Sequence, residues 1–96
     1  MTYLQFQVTR AAPVEDTAGN LPRAAAEFLI NHHDPRECTR RAVVALTKAG
    51  WRALALLNAE HGSQPADMRF GERLEALFPQ AEQAGLAYQI AEMDAV

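Results

Sequence analysis

Residues 34–57 read DPRECTRRAVVALTKAGWRALALL, from Asp34 to Leu57. Asp34 suits a helix N-cap, Pro35 the first helical position, and Glu37 the third, completing a capping box. Lys48 falls in the last turn, where a cation favours the carbonyl end of the helix dipole. Gly50 then offers the left-handed residue that stops a helix, and Trp51 follows where a hydrophobe packs back onto Leu46. At 100° per residue, Cys38, Ala42, Val43, Ala45, Leu46 and Ala49 share one face, and Arg36, Arg40, Arg41 and Lys48 the other. Residues 51–58 carry apolar side chains on both sides, Trp51, Ala53, Ala55 and Leu57 against Leu54 and Leu56, which predicts a central strand.

Working toward the N-terminus, residues 3–10 alternate. Leu4, Phe6 and Val8 point one way and Tyr3, Gln5, Gln7 and Thr9 the other, as in a strand with one wet or shared face. Residues 11–22 contain Pro, Gly, Asn and Asp and read as a loop. Residues 23–33 fit both a helix and a strand. A strand is preferred, because the next helix has its own cap at Asp34 and a hairpin with residues 3–10 would protect both strands.

Toward the C-terminus, residues 61–67 form a loop. Residues 72–84 predict a second amphipathic helix with Leu74, Leu77, Phe78, Ala81 and Ala84 inward. Pro79 would bend that helix or start a new turn. Gly85 repeats the stop, and residues 86–93 read as a last strand, with Leu86, Tyr88 and Ile90 on one side. The order is β-β-α-β-α-β. It predicts a single α+β domain over residues 1–96. The architecture is a two-layer sandwich, both helices on one face of a mostly antiparallel sheet of about four strands, ferredoxin-like in general shape.

The chain resembles a loose group of small uncharacterised bacterial α+β proteins. The likeness rests on Asp34-Pro35-Arg36-Glu37, on Ala49-Gly50-Trp51, and on Ala81-Glu82-Gln83-Ala84-Gly85 with Tyr88. It implies the strand reading of 24–32 and no activity.

Composition narrows the function. The 96 residues are 49% hydrophobic and 22% charged, with a net charge of −3, ordinary for a folded domain and giving no global pull toward nucleic acid or anionic membrane. One cysteine excludes an internal disulfide. MTYLQFQVTR lacks a signal-peptide pattern, and no stretch has the ~18 apolar residues of a membrane span. The expectation is a cytoplasmic protein. Abundant Ala, and Arg in excess of Lys, point to a GC-rich bacterial genome.

No constellation of residues commits the chain to chemistry. His32, His33 and His61, with Asp34, Glu37 and Cys38 nearby, invite a metal reading. Adjacent histidines on a strand diverge, however, and the two acids already have capping roles. Cys38 reads as a small core hydrophobe. Ser63 lacks a nucleophile-elbow setting. Glu72, Glu75 and Glu82 read as a solvated face, and no phosphate-cradling glycine motif is present. The expectation is no catalytic, cofactor or metal site.

Two surfaces stand out instead. Val44 among Arg40, Arg41 and Lys48 forms a small candidate partner patch. It is too small, and too poor in aromatics, for nucleic acid. Tyr3, Gln5, Gln7 and Thr9 form a candidate sheet-face contact for a homodimer. The reading is a non-enzymatic interaction or regulatory domain whose partner is another protein or itself. The alternatives are a small-ligand regulatory domain, with ligand at a dimer interface near the helix–Gly–strand turns, and a small enzyme.

Overall fold

The computed structural model describes residues 1–11 and 23–92. Strands β1 (Thr2–Arg10) and β2 (Arg23–Ile30) are followed by helix α1 (Pro35–Lys48), strand β3 (Trp51–His61), 3₁₀ segments at Pro65–Asp67 and Gly71–Leu77, helix α2 (Phe78–Ala84) and strand β4 (Leu86–Glu92). The α+β class, the element order and the four antiparallel strands agree with the sequence reading, as does the strand over 23–30. The loop expected over 11–22 lies, from residue 12 on, outside the described residues.

The punctuation of α1 is as expected at both ends, with one change. Asp34 Oδ1 accepts the Arg36 N–H at 3.0 Å. Glu37 does not reach back to the Asp34 N–H, which goes to His32 Nδ1 at 3.0 Å instead. The Glu37 carboxylate is held by Arg40 and Arg41, one turn ahead. Gly50 and Gly85 both take the left-handed conformation, φ +85° and +84°. Each carbonyl then accepts a bond from a neighbouring segment, Gly50 from Ala11 and Gly85 from Asn31, both at 2.9 Å. The expected second helix divides between Leu77 and Phe78, with Pro79 in the first turn of α2, into the 3₁₀ stretch and a short α-helix.

The sheet order is β3-β1-β2-β4. β3 is therefore an edge strand, against the expectation of a central one. β1 already has the hairpin partner β2 on one side, so a strand arriving through the α1 crossover takes the free side of β1. Leu54, Leu56 and Leu57 are 46%, 49% and 45% exposed as a result.

Layering is the second difference. The expected two-layer sandwich puts both helices on one face. Cys38, Ala42 and Leu46 of α1 pack with Leu4, Phe6, Val8, Ala26 and Phe28. Leu74 and Ala81 pack with Met1, Tyr3, Leu29 and Ala87, which belong to the opposite face by strand alternation. The two helical segments thus cover different faces, a departure from the ferredoxin-like outline. The cause is local: Phe28-Leu29-Ile30 is apolar on both sides, and Tyr3 and Ala87 extend that second apolar surface around Leu29. The first core is tightened by Phe28, edge-on to Phe6 at 5.9 Å and stacked on Tyr88 at 5.0 Å.

Candidate interaction surfaces

The basic face of α1 is the first surface. Arg40, Arg41, Val44 and Lys48, singled out by sequence, line one shallow groove together with Ala45 and with Ala84, Gly85 and Leu86 from the α2–β4 turn. Val44 is 40% exposed at its edge. Part of the positive charge is neutralised within the helix. Arg40 and Arg41 both bond Glu37, at i,i+3 and i,i+4 spacing. Those bonds hold the Glu37 carboxyl at about 2, far below its ordinary value, and raise the Arg40 guanidinium in return. Lys48 has no ion-pair partner among the described residues. The groove is open and mixed in character, with neither Trp51 nor Tyr88 on its wall.

The polar side of β1 differs from expectation. Tyr3 is fully buried and Thr9 is 7% exposed, so both are removed from any external contact. Tyr3 lies beneath the second helical segment, and its hydroxyl donates to Glu27 Oε2 at 2.7 Å. Gln5 and Gln7 remain half-buried, and Gln5 Oε1 accepts from Asn58 Nδ2 across the β1–β3 pair.

His32 and His61 have structural roles, and His33 is exposed. Thr2 Oγ1 donates to the His32 carbonyl at 2.8 Å and also meets His61 Nδ1 at 3.1 Å. A hydroxyl has one proton, so His61 Nδ1 is the donor in the second bond. His32 Nδ1 is occupied as the acceptor of the Asp34 N–H. The buried Cys38 thiol donates to the His32 carbonyl at 3.6 Å. Among the described residues, no three His, Cys, Asp or Glu side chains converge to hold a metal ion. Ser63 is exposed.

The surface that sequence reasoning missed is β3. Among the described residues no strand pairs with its outer edge, and three leucines, with Ala55 and Ala59, are exposed along it. Two irregularities shape it. Phe6 pairs with Leu56 and Gln5 with Asn58, leaving Leu57 extra; Gln7 pairs with Ala55 and Val8 with Ala53, leaving Leu54 extra. These bulges add two residues to β3 over the nine residues of β1 it accompanies. Glu60 fastens the end of the strand. Its carboxylate accepts the backbone N–H groups of Arg69, Phe70 and Gly71 at 2.9, 2.7 and 3.0 Å. The signal for the edge position lay in connectivity, since two-sided hydrophobicity fits both a central strand and an edge that takes a partner.

Compared with protein-family models, with curated proteins and with solved structures, the chain matches none of them. No helix among the described residues is long and apolar enough to cross a membrane.

Proposed function

We propose that this chain is a non-enzymatic interaction protein of the cytoplasm, and that its working surface is the outer edge of β3. The observation behind this reading is the exposure of Leu54, Leu56 and Leu57, each between 45% and 49%, on an edge that has no strand beside it among the described residues. Exposed edges in natural proteins are ordinarily protected by Lys, Pro, a covering element or bulges, and of these β3 has the bulges. Here the middle of the edge, residues 53–59, carries no charge and no proline. Grouped apolar side chains of this kind mark contact sites.

A second reading has its own observation. The groove between the cationic side of α1 and the Gly85 turn fits an anionic ligand or an acidic segment of a regulator.

The test is capture by immobilised protein from an extract of the source organism, with wild type beside the double variant Leu54→Ser/Leu56→Ser. A stoichiometric partner, the chain itself included, that is lost with the double variant supports the β3 reading. Equal capture by both overturns it. Loss on Arg40→Glu/Arg41→Glu instead transfers the function to the α1 groove.

A further inference from the structure

We infer that the occupant of the β3 edge is a second copy of the chain, paired antiparallel about a two-fold axis at Leu56; this rests on the β3 reading above. An antiparallel self-pairing opposes residues whose numbers have a constant sum. Full overlap of Trp51–His61 with its copy fixes the centre at Leu56. In that register Leu56 meets Leu56 and Leu57 meets Ala55, so the exposed apolar residues lie at the middle of the contact. Arg52 meets Glu60 of the other copy, twice by symmetry.

Faces agree as well as charges. Arg52 pairs with Thr9 and Glu60 with Tyr3 in the β1–β3 ladder, and both partners are odd-numbered residues of β1, on one side of the strand. Arg52 is exposed and has no ion-pair partner among the described residues. Glu60 spends three acceptor positions on backbone N–H groups, and a carboxylate offers about four. The contact is isologous and closes on itself. The bulges at Leu54 and Leu57 interrupt the ladder, so leucine packing carries the association along with backbone bonds. The opposite edge does not compete. β4 is seven residues long, and its large apolar residues Leu86, Tyr88 and Ile90 pack on the core.

Sedimentation equilibrium over a concentration series, combined with cysteine cross-linking, tests the inference. The expected species has twice the 10.6 kDa chain mass. In a Cys38→Ala background, Leu56→Cys should form an interchain disulfide on mild oxidation, since directly opposed strand residues have Cα atoms about 4.5–5.5 Å apart. Val44→Cys on α1 should not. Arg52→Glu should weaken the dimer about tenfold at low salt, each of two exposed pairs contributing about threefold, with the loss fading at high salt. A dimer that fails to cross-link at 56, or links equally at 44, overturns the register and leaves the interaction reading standing on another surface. A monomer at every concentration overturns self-pairing, while the capture experiment separately decides whether a different protein uses the edge.

Discussion

The Tyr3 hydroxyl donates to Glu27 Oε2 at 2.7 Å, a hydrogen bond between neighbouring strands that is buried from solvent. Gln89 Nε2 approaches the other carboxyl oxygen at 3.4 Å, so the contact joins β1, β2 and β4. Tyr3→Phe keeps the ring and removes only the donor. It should destabilise the fold by about 1–2 kcal/mol, the cost of weakening a buried bond to a carboxyl group. The shift in urea midpoint, with an unchanged slope, measures it.

Glu60 ties the C-terminal end of β3 to the backbone at Arg69, Phe70 and Gly71. Glu60→Gln leaves one oxygen to serve N–H groups that two oxygens serve in the native chain. The expected cost is about 1–3 kcal/mol. Amide exchange should accelerate at residues 69–71 more than in β1 or β2; uniform acceleration would contradict a local anchoring role.

Gly85 sits at φ +84°, and a Cβ there would meet nothing within 4 Å. Gly85→Ala therefore tests backbone strain without steric clash. It should cost about 1 kcal/mol. Asn, which tolerates the left-handed region better, should cost less. The order Gly above Asn above Ala in thermal midpoint checks the argument; equal midpoints would refute it.

Glu37 gives a defined acid response. Its carboxyl ordinarily titrates at 4.5 and is lowered to about 2 by its bonds to Arg40 and Arg41. A depressed acid contributes stability above its unfolded value and loses it as pH falls through its folded value. The Glu37 contribution should be complete above about pH 5 and decay between 4.5 and 2. Denaturation curves of wild type and Glu37→Gln should accordingly converge as the pH approaches 2. Added salt should narrow the gap above pH 5, because the pair is on the surface.

Local structure was legible where a residue acts on backbone close to it in sequence. Asp34, Pro35, Gly50 and Gly85 take their roles from capping geometry, which depends on neighbours within one turn. Strand β1 was readable from alternation in residues 3–10, and its hairpin with β2 from the separate helix cap at Asp34, which left residues 23–33 free to be a strand. What escaped depends on which elements meet. Strand alternation tells that Tyr3 and Leu4 point apart, but not that a second helical segment covers Tyr3. Phe28-Leu29-Ile30 is apolar on both faces of the sheet, a signal the sequence reading passed over, and only tertiary packing assigns a different helix to each face. The cationic cluster at Arg40, Arg41, Val44 and Lys48 was visible because helix periodicity groups it; its opposite wall at Gly85 comes from a distant turn. The leucines of β3 were visible as residues and misread as position, since a buried strand and a contact-forming edge have the same composition.

The eleven residues of β3 travel beside nine of β1. Each surplus residue breaks the even spacing of N–H and C=O groups that a newly arriving strand would need. The same irregularities that accompany the exposed leucines thereby make this edge a poor template for endless strand addition, which disfavours a growing fibre.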